Sequence, residues 1–379
     1  MSKSERTRRI RYAVVGQGYI AQIAVLPAFA NARRNSELVA LVSGDSRKLK
    51  TLARRYGVKN TFSYDEYDDC LRSGDVDAVF IALPNDMHRE FTVRAARAGV
   101  HVLCEKPMAV TEADCRAMIA ACERARVKLM IAYRLHFDPA NLRAVEIAQG
   151  GQLGELRVFD ALFSQQVVDE DNIRLQARKG GGPLQDIGIY CLNAARYLFR
   201  SEPIEVLAAS ASRPQRRFSE IEEMCSATLR FPGERLATFT CSFGATRHSS
   251  FRLLGTRGEL FLEPAFSYAE EMTLRTTLGG KGGKGGRARE RVFKKHDQFA
   301  PELLHFSDCI LEDRAPEPSG LEGLADVRIL QAIERAARTR RAVELEPVAK
   351  RRRPDARLEM RLPPVRKPEL VHAEAPGAS

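Results

Sequence analysis

Gly16 and Gly18 constrain the fold more than any other feature of the chain. An apolar, β-branched run from Ile10 to Val15 meets these two glycines. A helical pattern follows at once, with Ile20, Ile23, Ala24 and Ala28 on one face. A strand turning through glycines into a helix N-terminus is what a dinucleotide pyrophosphate needs. Gly16 permits the tight turn, Gly18 lets a phosphate approach the backbone, and the helix start offers unpaired N–H groups. Ala21 occupies the third glycine position, which the fingerprint tolerates. A tight strand–helix turn that holds no ligand is the alternative, and the flanking strand and helix weigh against it.

An alternation of strands and helices continues from there. Leu38 to Val42, Ala78 to Ala82, His101 to Cys104 and Lys128 to Ala132 read as buried strands. Helices are expected over Arg47–Tyr56, Arg89–Ala98 and Thr111–Ala125. Such repeats imply a doubly wound parallel sheet with right-handed crossovers, whose ligand crevice lies at the carboxyl ends of the strands. Polar segments fall at those ends: Leu83-Pro84-Asn85 with His88, then Glu105-Lys106-Pro107, then Tyr133-Arg134. Folds that take NAD place a carboxylate after the second strand. Here Ser43, with basic Lys48 on the next helix, suits a 2′-phosphate and hence NADP. Asp45 reads as the N-cap of that helix.

From Tyr133 onward the pattern changes. A helix over Pro139–Gln149 leads to a strand over Glu155–Ser164. A glycine-rich loop, 180–182, then opens onto a helix ending at Phe199. Strand-like runs follow over Ile204–Ala211, Met224–Phe231, Ala237–Phe243, Phe251–Gly255, Leu260–Leu262 and Glu270–Leu278. Consecutive strands separated by turn signals predict an α+β unit with a largely antiparallel, open-faced sheet. The fold class expected is therefore α/β: a Rossmann unit over residues 1–132 and an α+β unit over 133–346. Two late helices, Phe299–Leu311 and Leu321–Arg340, are expected to brace both units. The run 279–286, rich in glycine and lysine, reads as a hairpin tip, because it lacks the ending of a phosphate loop. Residues 347–379 form a basic, proline-rich tail, read as extended or disordered along a subunit surface.

The 379 residues carry a net charge of +11, and +4 of it lies in the last thirty. A basic balance invites a nucleic-acid reading, but no zinc-finger spacing, aromatic–basic RNA motif or helix-turn-helix accompanies it. No nucleic acid and no membrane are expected as partners. The eight cysteines are scattered without a Cys-x-x-Cys, as in a reduced cytoplasmic protein. Arg8-Arg9 is followed directly by the first strand rather than by the apolar run of an export signal.

Three groups of residues could carry chemistry. Lys106 leaves a buried strand toward the crevice, and an ion pair with Glu105 is its plain structural reading. Asp186 and Tyr190 lie four apart and share one helix face. Their plain alternatives are an N-terminal helix charge and a core aromatic. Tyr133-Arg134-Leu135-His136 stands at the junction of the two units.

With these residues in place, the chain resembles the glucose–fructose oxidoreductase (Gfo/Idh/MocA) family over about Ile10 to Val343. The resemblance is carried by Val-Val-Gly-Gln-Gly-Tyr-Ile-Ala at 14–21, Leu-Val-Ser-Gly at 41–44 and Leu-Pro-Asn at 83–85 with His88. Cys-Glu-Lys-Pro-Met at 104–108, Tyr-Arg-Leu-His-Phe-Asp-Pro at 133–139 and Asp-Ile-Gly-Ile-Tyr at 186–190 complete it. It implies an NADP-dependent enzyme moving hydride from C1 of an aldose to the nicotinamide, without a metal. Gly16, Gly18, Tyr19 and Ile20 would hold the pyrophosphate side, and Ser43 and Lys48 the 2′-phosphate. Leu83, Pro84, Asn85, His88, Glu105 and Arg134 would line the ribose and nicotinamide. Tyr190 would be the acid/base, Lys106 its positively charged partner, and Asp186 a hydrogen-bond partner of the sugar. Ile173 stands where the family has a tryptophan, beside Arg174, and Tyr268 keeps an aromatic on the cofactor side. Tyr190 matches the glucose–fructose branch, where many relatives have histidine. A long N-terminal arm covers the cofactor in the family prototype. Nine residues precede Ile10 here, so retention of NADP(H), with recycling by a second sugar, stands beside a conventional sugar dehydrogenase or keto-sugar reductase that releases NADP(H) in each cycle. A non-catalytic NADP sensor is the reading from another class, and the joint presence of Lys106, Asp186 and Tyr190 speaks against it. A homodimer or homotetramer through the open sheet face is implied.

Overall fold

The computed structural model describes residues 8–279, 286–349 and 352–375. The first unit is a six-stranded parallel sheet in the order β3-β2-β1-β4-β5-β6. Its strands are β1 (Ile10–Val15), β2 (Ser36–Val42), β3 (Asn60–Phe62), β4 (Ala78–Ile81), β5 (His101–Glu105) and β6 (Leu129–Ala132). Both faces are covered, which is why the strands read as continuous apolar runs. A π-helical turn, Ala21–Val25, runs into α1 (Leu26–Ala28), and α2 (Ser46–Tyr56) packs on the same face. The opposite face carries α3 (Tyr67–Arg72), α4 (His88–Arg97) and α5 (Glu112–Ala125). Asp45 caps α2 as expected, accepting from the Lys48 N–H at 2.9 Å, and Thr111 caps α5 by accepting from the Asp114 N–H at 3.1 Å.

After α6 (Pro139–Gln149) comes β7 (Leu156–Ser164), then α7 (Ile189–Phe199) behind a π-helical turn at Leu184–Gly188. Seven strands follow: β8 (Glu205–Ala211), β9 (Met224–Phe231), β10 (Arg235–Ser242), β11 (His248–Gly255), β12 (Gly258–Glu263), β13 (Met272–Leu278) and β14 (Arg287–Phe293). Together with β7 and the short β15 (Val343–Glu344) they form a nine-stranded sheet ordered β14-β13-β12-β11-β7-β10-β9-β8-β15. Every pairing in it is antiparallel except β7 with β10. Strand alternation sends Phe159, Ala161, Ala237 and Phe239 into the core. It leaves Val158, Leu162, Leu207 and Leu236 exposed on the outer face. Of the glycine–lysine tip, residues 280–285 lie outside the described set.

The two late helices divide the bracing unequally. α8 (Ala300–Leu311) lies on the first sheet, against β1 and β2. The Ser307 hydroxyl is 2.8 Å from those of both Tyr12 and Ser36, and the Asn35 amide donates to the Leu304 carbonyl at 2.8 Å. α9 (Gly320–Thr339) is the helix that touches both units, packing on α5 and β6 and also on β8. α7 and α9 share a buried ionic cluster. The Arg196 guanidinium reaches Glu202 at 2.6 Å, Glu322 at 2.7 Å, and Asp326. All eight cysteines are buried and unpaired.

The basic tail packs on its own chain. Residues 352–375 run largely extended, with a short turn at Ala356–Leu358 and a bend at Val371–His372, from α6 and Glu202 of the second unit onto the first unit. Leu358, Met360, Leu362, Leu370 and Val371 pack against the core that α1 and α8 share. Arg353 roots the segment on buried Glu202 at 2.8 Å.

Candidate active site

The turn after β1 presses against the end of β4. Gly16 has φ +91°, and a Cβ there would sit 2.5 Å from the Ala82 carbonyl oxygen, so only glycine fits. The Gln17 amide donates to the Val14 carbonyl at 2.8 Å, and the Gln22 amide donates to the Gln17 carbonyl at 2.9 Å, which fixes the loop. Gly18 faces open space, with no heavy atom within 4 Å of where its Cβ would lie. Tyr19 and Ile20 line the same opening, with Ser43 and Lys48 at its far end. Asp45 sits beside them with both oxygens occupied, one by the Lys48 N–H and the other by His372 at 3.0 Å. These partners hold its carboxyl below the usual range, the Lys48 N–H contributing most. A glycine turn at a helix start, a hydroxyl and an ammonium, with the neighbouring carboxylate tied off, are a set that fits an anionic dinucleotide.

At the other end of the opening, the Lys106 ammonium donates to the Asp186 carbonyl at 2.8 Å and lies 3.4 Å from the Asp186 carboxylate. It also sits 4.8 Å from the centre of the Tyr190 ring. Burial acts to lower the Lys106 pKa, but Tyr190, Asp186 and Glu105 outweigh it and hold the value above normal. Asp186 is pinned from its far side by Arg174 at 2.9 Å. Its pKa is lowered although burial opposes this, because Arg174 and Lys106 favour the carboxylate. Burial pushes Glu105 up to about 7. Arg134 is buried, donates to the Phe266 carbonyl at 2.7 Å and is also held by Gln298. Its guanidinium lies 4.9 Å from the Tyr190 ring centre and 5.1 Å from that of Tyr268.

These two ends belong to one cleft of about 360 Å3 between the units. Leu83, Pro84, Asn85, Glu105, Arg134, Arg174 and Tyr268 also line it. Asn85 bridges the units by donating its amide to the Gly180 carbonyl at 2.8 Å. Every residue picked from the sequence as a site residue lies on this cleft except His88. That ring is fully buried, 3.0 Å from the Leu83 carbonyl and 2.9 Å from that of Pro107. It ties together the two loops that carry Asn85 and Lys106 instead of facing a ligand. Reasoning from the sequence missed Phe163, Phe266 and Phe299, which wall the cleft, and Tyr64, which packs beside Gly44. A glycine directly after β2 was the one signal for Tyr64. The phenylalanines sit in ordinary strand and helix patterns and gave none. A second hollow, of about 1030 Å3, adjoins the cleft across Tyr19 and Tyr268, and the tail contributes Val365, Lys367 and Ala375 to its wall. Among the described residues no group of three or more His, Cys, Asp or Glu is placed to hold a metal ion.

Comparison with known proteins bears on this geometry. The profile of an oxidoreductase family with an NAD-binding Rossmann fold (GFO/IDH/MocA) matches residues 10–133, and that of the GFO/IDH/MocA C-terminal domain matches residues 141–261. The chain is 32% identical over 344 residues to D-xylose 1-dehydrogenase [NADP(+)] of Haloarcula marismortui, spanning 89% of this chain and 93% of that one. It is also 32% identical over 308 residues to a dTDP-3,4-didehydro-2,6-dideoxy-alpha-D-glucose 3-reductase of Streptomyces violaceoruber, spanning 81% and 87%. Among solved structures, aldose-aldose oxidoreductase from Caulobacter crescentus, complexed with glycerol, superposes with a TM-score of 0.83 at 42% identity. That match covers 89% of this chain and all of the other.

Proposed function

The chain belongs to the GFO/IDH/MocA oxidoreductase family, and from that premise we propose that it is an NADP-dependent enzyme oxidising an aldose at C1. The observation that carries this reading is the Lys106 ammonium, held between the Asp186 carboxylate and the face of Tyr190 at the inner end of the cleft. Gly16, Gly18 and the helix start would hold the pyrophosphate, and Ser43 and Lys48 the 2′-phosphate. When bound, NADP supplies the acceptor for the hydride leaving C1. As its phenolate, Tyr190 takes the proton of the C1 hydroxyl and becomes the neutral phenol. In the reverse direction its phenol returns a proton to the carbonyl oxygen, and Lys106 and Arg134 face the charge left behind. Lys106 keeps its own proton, because its neighbours hold its pKa above normal. It therefore acts as a fixed charge and a positioning group. Asp186, kept ionised by Arg174 and Lys106, offers its remaining lone pairs to a sugar hydroxyl. Retention of NADP(H) and its recycling by a second sugar is the finer form of the same reading, and a structural relative bears the name aldose-aldose oxidoreductase. Unpaired thiols suit a reducing compartment, the cytoplasm.

The test is Tyr190→Phe. We expect kcat on aldoses to fall about 10²–10⁴-fold, with the dissociation constant for NADPH within threefold of the parent. Turnover within threefold of the parent would remove Tyr190 from the chemistry and with it this reading.

A further inference from the structure

The last described residues of the tail cross the two turns that carry the nucleotide donors. Val371 donates its N–H to the Gln22 side-chain oxygen at 2.8 Å, and the Gln22 amide donates back to the Val371 carbonyl at 2.9 Å. That same amide donates to the Gln17 carbonyl inside the glycine turn. One side chain thus holds both the phosphate-facing loop and the tail. Arg55, near the end of α2, donates to the Glu369 carbonyl at 2.7 Å. His372, whose backbone turns with φ +46°, places its Nδ1 3.0 Å from Asp45. Beyond that turn, Ala375 returns to the hollow beside Tyr19. Leu370 and Val371 pack on the core beneath.

From this arrangement we propose that residues 369–372 are a working part of the cofactor site, a strap that slows cofactor release and sets the preference for a 2′-phosphate. The proposal rests on the NADP reading above. A free carboxylate after β2 hydrogen-bonds the ribose 2′-hydroxyl of NAD and repels the phosphate of NADP. Asp45 stands at that place, and His372 occupies the oxygen that the helix cap leaves over. With the histidine present, Asp45 is turned to the strap and its second oxygen is occupied by the imidazole, leaving Ser43 and Lys48 to meet the phosphate. Without it, one carboxylate oxygen is released toward the ribose.

The experiment compares the full chain, a chain ended after Lys367, His372→Ala and His372→Asn, all titrated with NADPH and with NADH by nicotinamide fluorescence. Ending the chain there removes the strap and keeps the packed residues Leu358, Met360 and Leu362. We expect the NADPH dissociation constant to rise at least tenfold in the shortened chain and at least threefold in His372→Ala. NADH should change less than twofold or bind more tightly. His372→Asn, which can still donate to Asp45, should recover part of the NADPH affinity. NADPH binding within twofold of the full chain in both the shortened chain and His372→Ala would overturn the strap and leave the NADP reading standing. So would equal weakening of the two cofactors, which would mark a general loosening. A full chain that binds neither cofactor would overturn the NADP reading and the strap with it.

Discussion

Arg196 is fully buried and answers to three carboxylates, two of them on α9. A buried ion cluster gives little stability compared with an apolar replacement of the whole set, but removing one member strands the others without charge compensation. Arg196→Met leaves Glu202, Glu322 and Asp326 facing one another, with Arg353, the Asn193 amide and the Tyr133 hydroxyl among the groups beside them. It should lower unfolding stability by about 3–5 kcal/mol, read from urea denaturation; a loss under 1 kcal/mol would mean that water reaches the cluster. The sequence could not show this site, because an arginine inside an apolar helix carries no mark of its partners. His88 marks the same boundary. A histidine in a polar segment at a strand end reads as a ligand contact, and only the positions of two carbonyls reveal it as a loop tie.

At the scale of elements, legibility followed burial. The parallel strands were readable because both faces of their sheet are covered, and the second sheet because its inner residues alternate. β3 was not readable, since three residues at a sheet edge with no fully buried side chain make no pattern. Nor were the two π-helical turns, each one residue out of step with the α-helical period. The second supplies Asp186 and Ile187 to the cleft and the first supplies Ile23 and Ala24 to the adjoining hollow, and π-turns are frequent at functional sites. The outer face of the second sheet makes its own demand. Val158 on β7 and Leu236 on β10 are direct register partners, both more than 40% exposed, with Leu162 and Leu207 nearby. We propose that this face carries the subunit contact of the homodimer or homotetramer that the family resemblance implies. Val158→Asp combined with Leu236→Asp should convert a dimer or tetramer to monomer in light scattering while leaving the melting temperature of the monomer cooperative. A parent chain that is monomeric at micromolar concentration would end the oligomer proposal.

Taken whole, the molecule does not divide where its sequence does. The first sheet borrows α8 from a point in the chain after all but the last strand of the second sheet, and the tail then covers more of the same face. Composition concealed this. A basic, proline-rich stretch reads as unable to bury enough surface to order itself, yet its few apolar residues are spaced to dock one by one, and several of its hydrogen bonds pair a backbone group with a side chain elsewhere in the chain. A fragment holding residues 8–133 alone is therefore expected to show no cooperative melt by circular dichroism, although it contains every strand of its sheet. A sharp transition would show that α8 is dispensable.

That borrowed helix also matters while the protein is being made. Roughly 180 residues separate Ala132 from Leu311, so at about 5–20 residues per second the ribosome adds them in roughly ten to thirty-five seconds. For that interval Tyr12, Leu41, Phe80 and Met130, all fully buried in the finished fold, have no α8 to lie against. The nascent chain carries an open apolar face through nearly half of its synthesis, the kind of transient surface that is prone to aggregate.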